Sequence, residues 1–126
     1  KPEMTMGKTF AEKILSLKSD SSDAFAGQIV NARPDRLMCD SGSTLIAIKS
    51  IHDIGVERIY NPDKVVIILD HFIPAESTLT ANNHRLVRKF VKEQGIRNFY
   101  DIREGVCHQV MMEEGHVLHV RSNTVV

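Results

Sequence analysis

Asp70 and His71 stand side by side at the end of the aliphatic run Val65-Val-Ile-Ile-Leu69. In parallel sheets, ligands bind outside the carboxyl ends of the strands. A carboxylate and an imidazole placed there can form a hydrogen-bonded pair. The acid fixes the imidazole tautomer and raises its basicity, and the chemistry on offer is proton transfer. The plainer alternative is a turn capped by Asp70, with His71 an ordinary loop residue. His108 is a second candidate, in Gly105-Val-Cys-His-Gln-Val110. The glycine there lets the backbone approach a neighbour closely; the alternative is a satisfied, partly buried histidine. Asp40-Ser41-Gly42-Ser43 lies between a strand and a helix. Its amides and hydroxyls could bind an anion at the helix N-terminus, or Ser41 or Ser43 could simply cap it. Cys107 beside His108 suggests a thiol or zinc hydrolase that also uses Asp70, but adjacent side chains rarely point at one another. His52, His84, His116 and His119 read as surface or strand positions without a role.

The elements that position these residues follow from periodicity and caps. Phe10, Ala11, Ile14, Leu15 and Leu17 share one helical face, with Thr9 and Glu12 spaced as a capping box. Residues 28–33 and 36–39 read as short strands around Pro34-Asp35. Residues 43–54 predict a helix with Leu45, Ile46, Ile48, Ile51 and Ile54 inward and Gly55 beyond its end. The run 64–69 is continuously apolar after Lys64, as suits a parallel strand covered on both faces. Pro74 delays the next helix, which Ser77 or Thr78 can cap. It runs to about Gln94, with Leu79, Leu86, Val87, Phe90 and Val91 inward, and Gly95 stops it. Residues 96–102 predict a strand, 106–112 a mixed segment with a helical turn, and 117–120 and 124–126 short strands. The alternation predicts an α/β fold: a layered α/β/α domain with a mainly parallel sheet. The final Thr124-Val125-Val126 reads as a strand cut in mid-flow, and residues 1–6 as a leader or junction.

Composition bounds the function classes. The 126 residues suffice for one core, with 42% hydrophobic and 25% charged residues, as in soluble globular proteins. Sixteen basic residues balance sixteen acidic ones, so no nucleic-acid footprint is expected. No apolar run approaches the roughly 20 residues of a membrane span, and no secretion signal is read at the start. Cys39 and Cys107 are far apart and are expected as free thiols in a cytoplasmic chain. They lack the spacing of a usual zinc site, so no metal centre held by this segment alone is expected.

Four segments together carry a resemblance. Gly7-Lys-Thr-Phe-Ala-Glu-Lys-Ile-Leu15 resembles the start of the large subunits of isopropylmalate dehydratase and homoaconitase, in the aconitase superfamily. Asp70-His71-Phe72-Ile73-Pro74-Ala75, then Gly95-Ile-Arg-Asn-Phe-Tyr-Asp101, then Gly105-Val-Cys-His-Gln-Val110 with Glu113 resemble that family's next motifs in order.

The resemblance implies that residues 1–126 are the N-terminal part of an aconitase-type iron-sulfur domain. It implies a hydro-lyase that dehydrates and rehydrates hydroxy di- and tricarboxylic acids such as 3-isopropylmalate or homocitrate, as in leucine biosynthesis. It further implies a 4Fe-4S cluster whose ligands lie elsewhere, the rest of the large subunit and a small swivel-domain subunit as partners, and no nucleic acid or membrane. By family pattern His71 handles protons with Asp70 as its partner, His108 is a second active-site histidine, and Asp40 and Ser41 line the substrate side. Relatives carry His-Asp or Gln-Asp where this chain has Asp40-Ser41, and often glycine where it has Arg103. A non-catalytic binding or scaffold domain of the same fold is the alternative.

Overall fold

The structure, a computed structural model, describes residues 7–117. They fall into two compact units, one containing residues 7–35 and the other Arg36–Val117. No helix among the described residues is long and apolar enough to cross a membrane.

The first unit holds α1 (Phe10–Lys18), opened by the expected capping box. Glu12 closes the box on the Thr9 amide and also accepts the Ala26 N–H at 3.0 Å, so the following loop folds back on the helix. Ser16 likewise accepts the Ala24 N–H at 2.9 Å, and Ala24 is buried. No residue of α1 is itself buried. Residues 28–33 are not a strand. Their one ladder contact is an isolated bridge from Ala32 to Ser19, and Ile29 is almost wholly exposed. Strand propensity without an apolar face to pack leaves the segment irregular.

The second unit is a three-stranded parallel sheet in the order β1-β2-β3, formed by β1 (Leu37–Asp40), β2 (Val65–Ile68) and β3 (Asn98–Tyr100). Cys39 pairs with Ile67 and Ile67 with Phe99, which sets the register across the sheet. β2 is central, and its side chains alternate between two cores. Val66 and Ile68 pack with Cys107, Val110 and Met111 of α4 (Cys107–Glu113). Ile67 and Leu69 pack with Val87 and Val91 of α3 (Thr78–Gln94) and with Ile96, joined by Leu45 of α2 (Ser41–Asp53). Helices thus cover both faces, giving the expected α/β/α layers.

Details differ from the pattern-based reading. α2 begins at Ser41 because Asp40 is the N-cap. Ile46 and Ile54 are exposed, while Thr44 is buried, its hydroxyl donating to the Asp40 carbonyl at 2.5 Å. On α3 the inward stripe is Thr80, His84, Val87 and Val91; Leu79 and Leu86 face solvent. His84 is therefore a core residue, not a surface one. In the segment expected at 106–112, Cys107–Glu113 form a regular helix, α4, and not a single turn. Val117, the first residue of the strand candidate at 117–120, is not in a strand; the rest of that candidate, the one at 124–126, His119 and residues 1–6 lie outside the described residues.

Candidate active site

Asp70 and His71 emerge at the carboxyl end of β2, where the ladder closes with the Leu69 N–H donating to the Tyr100 carbonyl at 2.9 Å. The Asp70 side chain is 6% exposed and the His71 side chain 51% exposed. Nδ1 of His71 lies 2.6 Å from Oδ1 of Asp70. The other carboxylate oxygen accepts the backbone N–H of Cys107, the first residue of α4, at 2.7 Å. Asp70 is thus fixed from two sides, by its neighbour and by a residue 37 positions along the chain. Burial pushes its carboxyl pKa up, but the hydrogen bonds from His71 and Cys107 prevail and hold it below the usual range. His71 is shifted up from its ordinary 6.5, first by the hydrogen bond to Asp70, then by that charge and the more distant Asp40.

Asp40 and Ser41 approach the pair from β1 and α2. Asp40 Oδ1 accepts the Ser43 N–H at 2.7 Å, and the Ser43 hydroxyl lies 2.9 Å from the Asp40 N–H that it accepts. The N-terminus of α2 is thus occupied by the chain's own carboxylate, and burial opposes but does not cancel the lowering of the Asp40 pKa by Ser43. Ser41 is buried and turns inward, its hydroxyl donating to the His71 carbonyl at 3.3 Å. It supports the backbone that carries His71. Phe72 follows with φ 56°, before a cis Ile73-Pro74 bond. A positive φ at a non-glycine residue next to a chemical group is typical of functional loops.

His108 follows Cys107 on α4 and is exposed, and no hydrogen bond joins it to Asp70 or His71. Cys107 is buried, and its thiol is pushed up first by burial and then by Asp70, which keeps it protonated. This is the opposite of an activated nucleophile, so the thiol-hydrolase reading has no support. Gly105 has the expected close approach: with φ 131°, a Cβ there would lie 3.1 Å from a Val110 methyl.

Three features had no sequence signal. Asp70, His71 and Cys107 bring one carboxylate oxygen, one imidazole nitrogen and one sulfur within 4.8 Å of one another. Tyr100 and His116 are 2.7 Å apart between Oη and Nε2. The His116 pKa is lowered by burial and then by Arg36. Arg88 of α3 grips Asp101 after β3 through two bonds, of 2.8 and 2.7 Å.

No protein-family model matches the chain. Individual relatives do. The chain is 51% identical over 112 residues to 3-isopropylmalate dehydratase large subunit 1 of Methanopyrus kandleri, covering 89% of this chain and 27% of that protein. It is 48% identical over 113 residues to the probable 3-isopropylmalate dehydratase large subunit of Methanothermobacter thermautotrophicus, covering 90% and 27%. The 3-isopropylmalate dehydratase large subunit of Aquifex aeolicus is 32% identical over 113 residues, covering 90% and 26%. The chain spans about a quarter of the length of these curated relatives. Over that quarter the chain is similar to large subunits of 3-isopropylmalate dehydratase.

Proposed function

We propose that residues 1–126 form the N-terminal segment of the large subunit of a hydro-lyase, one that dehydrates or isomerises a hydroxy di- or tricarboxylic acid such as 3-isopropylmalate or homocitrate. The observation that supports this best is the Asp70–His71 pair at the carboxyl end of the central strand. Loss of a hydroxyl needs a proton donor for the leaving oxygen, and loss of the α-proton needs a base. Asp70 favours the protonated imidazole and occupies its Nδ1 side, leaving Nε2 as the atom that hands a proton to a departing hydroxyl. Ser41 steadies His71 through its backbone, Asp40 and Ser41 form the substrate-side wall, and His108 is the second histidine on the exposed end of α4.

The family implies a 4Fe-4S cluster, and the residues present do not fit it. Such clusters are held by sets of cysteine thiolates. This chain has two cysteines, and Cys107 is buried against Asp70. The cluster ligands therefore belong to the rest of the large subunit, which with the small swivel-domain subunit completes a cytoplasmic enzyme of amino-acid biosynthesis.

The test is to purify the complete large subunit without oxygen, combine it with its small subunit and assay 3-isopropylmalate and homocitrate. Iron-sulfur absorbance with turnover is expected, and His71→Ala should abolish turnover while the absorbance stays. A cluster-free, inactive complete protein would instead favour a scaffold domain. The 126-residue chain alone should show neither cluster nor turnover, and stoichiometric iron in it would contradict the proposal.

A further inference from the structure

We propose that Asp70, His71 and Cys107 form a binding site for one zinc-class divalent cation, held by an Asp70 carboxylate oxygen, Nδ1 of His71 and the Cys107 thiolate. A carboxylate oxygen of Asp70, a ring nitrogen of His71 and the Cys107 sulfur already lie within 4.8 Å of one another, and Nδ1 is the nitrogen beside the carboxylate. Tetrahedral zinc with bonds of about 2.0–2.3 Å places its ligand atoms roughly 3.3–3.7 Å apart, so adjustments of about 1 Å complete the set. The trio has the donor mix that selects zinc over magnesium or calcium, since it joins sulfur and imidazole to a single carboxylate.

The surroundings suit a cation. The Cys107 N–H holds the second Asp70 oxygen at 2.7 Å and so aims the first, as an outer-shell hydrogen bond does in metal sites. Asp70 and Cys107 are buried, whereas half of the His71 ring is exposed. A cation therefore enters from the His71 side, with its fourth position open to water. His71 shares a proton with Asp70, and the cation takes the place of that proton and of the thiol proton of Cys107. For neutral His71, three coordinate bonds form, the imidazole proton moves from Nδ1 to Nε2, and the thiol proton leaves to solvent. Carboxylate and thiolate then neutralise the two positive charges, and no oxidant or reductant is needed. The cation uses the same atoms as the acid–base pair, so it would block proton transfer. That consequence rests on the proposed function, whereas the binding does not.

The experiment titrates the reduced, metal-free chain with cadmium, reading the ultraviolet cadmium–thiolate band, and then displaces it with zinc. The band should saturate at one cation per chain and disappear as zinc is added. Cys39→Ala should keep it. Cys107→Ser, nearly isosteric, should lose it. His71→Ala, a change at a half-exposed ring, should weaken zinc binding by at least about tenfold. Far-ultraviolet circular dichroism confirms that all three variants fold. Absence of a band in the wild-type chain, its persistence in Cys107→Ser, its loss in Cys39→Ala, or unchanged zinc affinity in His71→Ala would each overturn the site. Turnover is not measured, so failure here leaves the hydro-lyase reading standing.

Discussion

The backbone N–H of Cys107 donates to one oxygen of Asp70 at 2.7 Å while His71 lies 2.6 Å from the other. The first bond makes the second directional, because a carboxylate pinned at Oδ2 cannot swing away from the imidazole. Asp70→Asn keeps an oxygen for the Cys107 amide but turns an NH₂ group toward Nδ1. The His71 pKa should then fall back toward its ordinary 6.5, as read by NMR titration of the ring. An unchanged titration would assign the shift to Asp40.

The pair also sets a pH window for stability. His71 is raised, so its contribution is complete below 6.5 and lost as pH rises through its higher folded value. Asp70 is lowered, so its contribution is present above 3.8 and lost as pH falls through its lower folded value. The stability difference between wild type and Asp70→Asn should therefore be largest between those limits and shrink on both sides. The half-exposed ring keeps the ion-pair part below about 1 kcal/mol. Urea midpoints across pH measure this.

The central strand was legible because five consecutive apolar residues leave no solvent face, and Val66 and Ile67 duly enter opposite cores. Thr9 with Glu12, and Gly95 after α3, were legible because capping is local chemistry. The position of Asp70–His71 followed from the strand. The turn of α3 was not legible. Counting apolar side chains pointed Leu79 and Leu86 inward, but packing on the sheet selects the stripe through Thr80 and His84. The contact of Asp70 with Cys107 joins distant positions and leaves no periodic trace. Among the cap candidates of α2, Ser41 was drawn away by the His71 carbonyl, a partner that only the folded sheet supplies.

Arg103 has φ 81° and is exposed. An L-residue in this region clashes with its own carbonyl, at roughly 1–2 kcal/mol, and glycine does not. Glycine also costs more chain entropy on folding. Arg103→Gly should thus raise stability by about 0.5–1 kcal/mol, measured by urea denaturation. A loss instead would mean that the arginine side chain contributes more than its backbone costs.

His84 is 5% exposed, and its Nε2 has no hydrogen-bond partner among the described residues. A buried polar atom left unpaired costs about 1–3 kcal/mol. Leucine has a similar bulk and no such atom. His84→Leu should stabilise the chain by about 1 kcal/mol in thermal or urea unfolding. Destabilisation of that size would show that His84 has a partner in solution, with Glu76 and Asp101 the nearby acids to examine.

Arg88 and Asp101 tie α3 to the loop after β3 through a two-bond fork, each side chain a little over one-third exposed. Lysine cannot reproduce the fork, so Arg88→Lys should lose most of the coupling despite keeping the charge. A double-mutant cycle of Arg88→Ala and Asp101→Asn should give about 0.5–1 kcal/mol at neutral pH, since solvent screens the pair. The Asp101 pKa is lowered, chiefly by the hydrogen bond from Arg88. The coupling is therefore present above 3.8 and should vanish as pH falls through the lower folded value. Added salt should erode it less than an exposed single-contact pair such as Lys89–Glu93. A coupling that survived acid would place the interaction in packing of the arginine stem and not in its charge.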